Sequence, residues 1–230
     1  MPENLVSSLV FILILYIAIA VHEFGHALGC YLVKCKVDEF YIGFLPVLKF
    51  TVKSLPVTIG ILPLGGGALP NIKEFDALSP GKRIIPIAFG PIFSFVTAVA
   101  ALTLSAKFTM AEALNLVFSI FPVLLTPAHL LPQPDSNTGT MLTSISVYME
   151  SQGFTFTLLL FGFVNTLLFA FNTLPIPGLD GGRILLNLVE MTFGPKVKTL
   201  NKVLNGLGII TVFGYVIISW ILDLIYILTG

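Results

Sequence analysis

Three ionisable residues lie close together in the first apolar stretch of the chain: His22, Glu23 and His26. Charged and strongly polar side chains are costly at membrane depth, so such a group is expected to be functional. On a helix the two imidazoles, four residues apart, share one face and can hold one zinc ion, while the glutamate can accept and donate protons. The order H-E-F-G-H therefore predicts a zinc metalloprotease core, here inside a segment long enough to span a membrane.

The composition is that of a polytopic membrane protein. Of the 230 residues, 56% are hydrophobic and only 10% are charged, well outside the usual composition of soluble domains. The formal net charge is zero and no basic run stands out, so nothing indicates binding to nucleic acid. We expect a single membrane domain over residues 1–230, without a PDZ or CBS domain.

The predicted fold class is all-α, with about four transmembrane helices. Apolar segments at 4–33, 82–106, 153–190 and 206–229 contain stretches long enough to cross a bilayer. The connection 112–150 is apolar in part but interrupted by prolines. If it does not cross, all basic residues except Lys107 fall on one side, as the positive-inside rule requires. We therefore predict four crossings, both termini outside and the active site towards the cytoplasm, leaving open whether 114–131 re-enters or lies at the interface.

A small β-hairpin is predicted between the first two spans, within residues 40–70. Residues 48–53 alternate apolar and polar, and a further short apolar run follows a Ser-Leu-Pro turn. The segment ends in consecutive glycines, so a re-entrant loop that dips towards the first helix is one interpretation. Its open edge could pair with an extended peptide. An amphipathic hairpin at the membrane interface is the alternative.

Zinc needs a third protein ligand, and the candidates near apolar segments are Asp180, Glu190 and His129. Asp180 is favoured, because the stretch 172–182 places it between two helix-ending prolines and two glycines that allow close backbone packing. A protease that uses Glu190 instead remains possible. We expect His129 to lie at the membrane interface and Cys30, four residues after the second histidine, to be a packing residue.

Four stretches occur in a fixed order along the chain: the H-E-F-G-H sequence, Pro63-Leu64-Gly65-Gly66, Gly90-Pro91, and Asn172 to Gly182. In this order they resemble the landmarks of the site-2 protease family of intramembrane zinc metalloproteases, over roughly Leu5 to Glu190. The last stretch matches the family pattern N-x-x-P-x-P-x-L-D-G-G throughout, which is far more specific than a lone H-E-x-x-H.

The resemblance implies a core of three helical spans around one Zn²⁺ per chain. It implies that Glu23 is the general base and acid, and that Asn172 positions substrate or stabilises the oxyanion. The zinc ligands that it implies are His22, His26 and Asp180.

The implied function is intramembrane proteolysis, the cleavage of transmembrane segments of single-span membrane proteins within the lipid bilayer. Gly65 and Gly66 would contact substrate, together with Ser94, which stands where the family usually carries asparagine. Gly67 replaces an aromatic residue that is common after the paired glycines. From another class, a channel or transporter could use a polar intramembrane site, but the sequence has no internal repeat and no second polar cluster along a route.

Overall fold

The chain folds into a group of packed helices and one long β-hairpin. In this computed structural model the backbone is described for residues 3–124 and 138–229, and side chains for residues 9–122, 153–211, 214 and 218. In chain order the elements are α1 (Glu3–Leu32), β1 (Val37–Val52), β2 (Leu55–Pro70), α2 (Ile72–Ala77), α3 (Pro80–Leu104), α4 (Met110–Leu124), α5 (Thr138–Thr173), α6 (Asp180–Phe193) and α7 (Lys198–Thr229).

Three helical segments in the described part of the chain are long and apolar enough to cross a membrane: Leu9–Leu32, Pro80–Leu104 and Gly153–Thr173. They coincide with the first three predicted spans and confirm a helical fold of the membrane type. The fourth predicted span, 206–229, lies within α7, and its crossing stays a prediction. Within the predicted connection 112–150, α4 covers the beginning, while residues 125–137, including His129, lie outside the described residues.

The segment 153–190 contains the end of one helix and most of another, with a break at the prolines predicted to end a helix. α5 ends at Thr173 and α6 begins at Asp180. Pro175 and Pro177 end the first of these helices, because proline has no N–H to donate and disfavours helical backbone in the residue before it. Asp180 therefore occupies the first helical position of α6, directly after an irregular turn.

The three candidate spans pack against one another, with α3 contacting both α1 and α5. Two glycines of α1 allow its backbone to touch that of α3: a Cβ atom at Gly25 would overlap the backbone of Phe89, and one at Gly29 would lie 3.1 Å from the nitrogen of Pro86. Small residues at helix contacts have this role in membrane proteins, where close van der Waals packing replaces the hydrophobic effect. The later half of α1, which is predicted to lie towards the cytoplasm, therefore packs closely against the first half of α3.

The hairpin is confirmed and is longer than predicted. β1 and β2 pair antiparallel, and Val52 pairs with Leu55 across a two-residue turn. Lys53 and Ser54 form this turn with φ angles of 46° and 74°, as a type I′ turn requires, one residue before the predicted Ser-Leu-Pro turn.

The hairpin also folds back on itself. The first part of β1, residues 37–42, pairs with residues 66–70 of β2, and within it residues 40–42 also pair with residues 57–59. One edge of the 66–70 segment is thus bound to β1, and its other edge pairs with no strand in the described part of the chain.

Candidate metal centre

Three side chains converge where α1 meets the start of α6. Nε2 of His22 lies 3.3 Å from Oδ2 of Asp180 and Nε2 of His26 lies 3.1 Å from the same oxygen, and the two Nε2 atoms are 3.1 Å apart. A tetrahedral zinc ion with bonds of about 2.0–2.1 Å separates its ligand atoms by about 3.3 Å. The triangle formed by these atoms has the size of one face of such a coordination shell.

The hydrogen bonds behind the imidazoles point lone pairs into this triangle. Nδ1 of His26 lies 2.8 Å from the carbonyl oxygen of Pro86, which can only accept, so Nδ1 carries the proton of the neutral ring and Nε2 is bare. Oδ2 of Asp180 is buried without a hydrogen-bond partner among the described residues. Two hydrogen-bond acceptors facing each other at 3.1 Å repel unless a cation lies between them. The three converging atoms therefore fit a divalent metal ion.

Each of the three converging side chains is positioned by a different feature of the fold. The helical repeat of α1 places its two histidines one turn apart on the same face. The ring of His26 lies directly on Gly90 of α3, where a Cβ atom would overlap the imidazole. Asp180 reaches the same point because α5 ends early and α6 starts beside α3, with which it is in contact.

Arg183 orients the carboxylate of Asp180. Its Nη1 donates to Oδ1 of Asp180 at 3.2 Å, from three residues further along α6. One carboxylate oxygen is therefore held by the guanidinium, and the other faces the two imidazoles. Such a partner outside the ligand set fixes the direction in which the ligand oxygen points.

Glu23 lies between α1 and the 66–70 segment of β2 and is 7% exposed. Its Oε2 accepts a hydrogen bond from the backbone N–H of Ala68 at 3.1 Å, and a Cβ atom at Gly66 would lie 2.8 Å from its Cγ. The Ala68 N–H that donates to Glu23 points away from β1. The unpaired edge of the hairpin therefore faces the carboxylate predicted to move protons.

Ser94, predicted as a substrate contact, is fully buried, and its Oγ lies 2.9 Å from Nδ1 of His22. In this position the hydroxyl can accept a hydrogen bond from Nδ1–H of His22, which leaves the Nε2 lone pair free for a metal. The hydroxyl thus lies behind the imidazole of His22, and the substrate contact predicted for Ser94 stays a prediction.

Asn172 and Gly65 make contacts other than with the three converging side chains. The side-chain amide of Asn172, in the last turn of α5, donates to the carbonyl of Leu168 at 3.0 Å, and no recorded hydrogen bond joins it to the three converging side chains. Gly65 lies beside the ring of Phe44, which a Cβ atom there would approach to 3.4 Å. The roles predicted for these two residues stay predictions.

The alternative ligand Glu190 lies elsewhere. Its Oε2 pairs with Nη1 of Arg83 at 2.9 Å, and both side chains are buried. Cys30 is buried as a free thiol and does not join the group of potential ligand atoms found among the described residues, which consists of His22, His26 and Asp180. Of the candidates that can be compared, Asp180 is the third ligand that the geometry favours.

Three partners at this site were missed by reasoning from the sequence: the guanidinium of Arg183, the carbonyl of Pro86 and the N–H of Ala68. The spacing of Asp180 and Arg183, three residues apart on one helix, could have indicated the first. The other two lie 60 and 45 residues from the side chains that they serve. Such contacts depend on tertiary packing, for which a single sequence has no spacing signal.

Comparisons with known proteins relate the chain to a peptidase family. The sequence model of peptidase family M50 matches residues 10–215. Over 115 residues the chain is 33% identical to a protein of Vibrio cholerae described as a candidate zinc metalloprotease, a match that covers 44% of this chain and 25% of the relative. A Thermotoga maritima protein of the same description is 50% identical over 101 residues, covering 37% of this chain and 20% of the relative.

A third relative is the regulator of sigma-E protease RseP of Escherichia coli. It is 32% identical over 105 residues, a match that covers 40% of this chain and 23% of the relative. The chain thus spans about a quarter of the length of these curated relatives.

Proposed function

The chain belongs to peptidase family M50, and from that membership we propose that it is a zinc-dependent endopeptidase that cleaves transmembrane segments of single-span membrane proteins within the bilayer. The observation that carries the proposal is the cluster of His22, His26 and Asp180. Two of its three members lie on α1, in a segment long and apolar enough to cross a membrane. Polar groups at that depth are retained when they have a function.

The proposed division of work follows from the positions of the side chains. His22, His26 and Asp180 would hold one Zn²⁺ per chain, which is the cofactor that membership of this family implies. When bound, zinc supplies a Lewis acid that polarises a peptide carbonyl and makes water a better nucleophile at neutral pH. Glu23 takes a proton from the attacking water and returns it to the nitrogen of the leaving amine. The recorded hydrogen bond to Glu23 is at Oε2, which leaves Oε1 for this task.

A helical substrate must unwind before it can react, because its carbonyls are engaged in its own hydrogen bonds. The unpaired edge of the 66–70 segment offers replacement backbone partners beside Glu23, where the Ala68 N–H already points. We propose that the unwound segment adds to this edge as a strand, with Gly65 and Gly66 along it. Asn172, at the end of α5, would position the substrate or stabilise the oxyanion.

The proposed membrane arrangement has four crossings, with the metal centre towards the cytoplasm. His22 and His26 lie in the later part of the Leu9–Leu32 segment, close to the basic residues that follow it. The fourth crossing would be formed by the part of α7 that covers residues 206–229. This arrangement keeps the basic loops on one side, as the positive-inside rule requires.

The test is a cleavage assay with the purified full chain in detergent or vesicles and a panel of labelled transmembrane peptides. The wild type is expected to cleave at least one peptide and to lose that activity when a chelator removes zinc. Glu23→Gln is expected to bind as much zinc as the wild type and to cleave nothing, because the amide cannot accept the proton. Cleavage that survives this substitution would contradict the proposed mechanism.

The matched control is Glu112→Gln. Glu112 is exposed at the start of α4, where it accepts hydrogen bonds from Thr109, and glutamine can serve in the same capping arrangement. This variant is expected to cleave like the wild type. A loss of activity in both variants would point to a general effect of the substitution rather than to the chemistry of Glu23.

A further inference from the structure

Tyr41 of β1 lies across Gly67 of β2. The two residues are partners in the antiparallel register, and a Cβ atom at position 67 would lie 2.7 Å from Cζ and 2.8 Å from Oη of Tyr41. Real Cβ atoms do not approach other heavy atoms so closely. The tyrosine ring therefore fills the volume that a side chain at position 67 would need, and this close approach requires glycine.

The hydroxyl of Tyr41 is available to a ligand. The side chain is partly buried, and the structure records no hydrogen bond at its Oη among the described residues. Burial raises the pKa of Tyr41, and the nearby carboxylates of Glu23 and Glu39 raise it further. The hydroxyl is therefore protonated at neutral pH and can both donate and accept a hydrogen bond.

The ring extends towards the proposed substrate edge of the hairpin. Tyr41 belongs to the strand on one side of the 66–70 segment, and its hydroxyl reaches over Gly67 in that segment. On the other side of the segment, the Ala68 N–H points to Glu23. The side chain of Tyr41 thus starts from the strand paired with the 66–70 segment and extends across that segment. It points towards the unpaired edge, which faces the proposed catalytic carboxylate.

A peptide strand added at that edge would place one of its residues opposite Gly67. Directly opposed residues of neighbouring strands carry their side chains on the same face of the sheet, and successive residues alternate between faces. The face of Gly66 is occupied by Glu23 and Ile19 of α1, so the face of Gly67, which Tyr41 covers, is turned away from α1. The substrate side chain opposite Gly67 would meet the tyrosine there.

We propose that Tyr41 is a specificity-determining residue whose ring and hydroxyl form one wall of a subsite for the substrate side chain opposite Gly67. This inference rests on the proposed peptidase function and adds a rule of substrate selection to it. The ring limits the size of the side chain that the subsite accepts. The hydroxyl favours a side chain that can form a hydrogen bond.

The test uses labelled transmembrane peptides that differ at single positions around the cleavage site, cleaved by wild type, Tyr41→Ala and Tyr41→Phe. Tyr41→Ala is expected to raise kcat/KM for bulky relative to small residues by about tenfold or more at one peptide position, with the other positions unchanged. Tyr41→Phe is expected to keep the size limit. It should lower the preference for serine, threonine or asparagine at that position by about two- to tenfold, the effect of one lost hydrogen bond.

Tyr31→Ala is the matched control, because Tyr31 is 77% exposed on α1. This substitution is expected to leave every substrate preference unchanged. Zinc content is measured for all variants and should equal that of the wild type. If the substrate preferences of Tyr41→Ala and Tyr41→Phe match those of the wild type, the proposed subsite is overturned and the peptidase function stands. If Tyr41→Ala does not fold, the preferences of Tyr41→Phe alone decide. If the wild type shows no cleavage that depends on zinc and Glu23, the proposed function fails, and the subsite with it.

Discussion

The chemistry of the site depends on which nitrogen of each histidine carries its proton. The Pro86 carbonyl settles this for His26 by accepting from Nδ1. For His22 the neighbour is the Ser94 hydroxyl, which can accept or donate and therefore orients the ring less strictly than a carbonyl would. We therefore expect Ser94 to act as a positioning residue, with an effect that can be measured through the metal.

Ser94→Ala is expected to weaken zinc binding by about ten- to a hundredfold, the usual effect of removing a partner behind a ligand. Zinc affinity is measured by competition with a chelator, which reports the metal and not the turnover. Ser119→Ala serves as the control, since Ser119 is exposed on α4 and bonds only to the carbonyl of Leu116. An affinity of Ser94→Ala equal to the wild type would show that the hydroxyl does not orient His22.

At the scale of elements, the close contact between α1 and α3 positions the two histidines that meet Asp180 of α6. The imidazole of His26 can lie where it does only because residue 90 of α3 has no side chain. Gly25 and Gly29 of α1 likewise allow the backbones of the two helices to touch.

Gly90→Ala is therefore expected to displace His26 and to abolish stoichiometric zinc binding, even where the protein still folds. Zinc per chain, measured by elemental analysis after gel filtration, checks this expectation. Gly81→Ala on the same helix is the control, because a Cβ atom there would make an ordinary contact of 3.8 Å with the side chain of Met191. A full equivalent of zinc in Gly90→Ala would mean that the contact between α1 and α3 is looser than described.

The pairing of α3 with α6 includes a buried ion pair, Arg83 with Glu190. Removing one partner leaves the other charge buried and alone, so Arg83→Met is expected to lower the free energy of unfolding by about 3–5 kcal/mol. Adding Glu190→Met to it removes the uncompensated charge and should restore most of the loss. Thermal unfolding in detergent measures both variants. A double variant no more stable than Arg83→Met would contradict this account of the pair.

At the scale of the whole molecule, the sequence predicted the architecture where a local pattern encodes it. Long apolar segments predicted the three candidate spans, and the alternation at 48–53 predicted the hairpin. The resemblance to the site-2 protease family is confirmed by the family model that matches residues 10–215.

What the sequence left unpredicted depends on contacts between distant parts of the chain. The break within 153–190 was indicated by its prolines, but the direction in which α6 leaves it was not. Three further features join residues far apart in the sequence and have no local signature: Ser94 behind His22, Ala68 on Glu23, and Tyr41 over Gly67.

The four-crossing arrangement is tested by labelling single cysteines from one side of sealed vesicles. In a background with Cys30 and Cys35 replaced by alanine, single cysteines replace Lys49, Lys107 and Lys196. Positions 49 and 196 are expected to react from the same side and position 107 from the opposite side. If position 196 reacts together with position 107, the connection 112–150 crosses the membrane, and the topology has to be redrawn.

The measurement that tests the central claim most directly is the number of zinc ions bound per chain in the wild type and in Asp180→Asn. The account predicts about one zinc per wild-type chain and a severe loss in Asp180→Asn, because the ion is held jointly by two histidines of α1 and the first residue of α6. The control is Asp76→Asn, because Asp76 pairs with Lys202 outside the cluster. This variant should bind as much zinc as the wild type. A full equivalent of tightly bound zinc in Asp180→Asn would contradict the account.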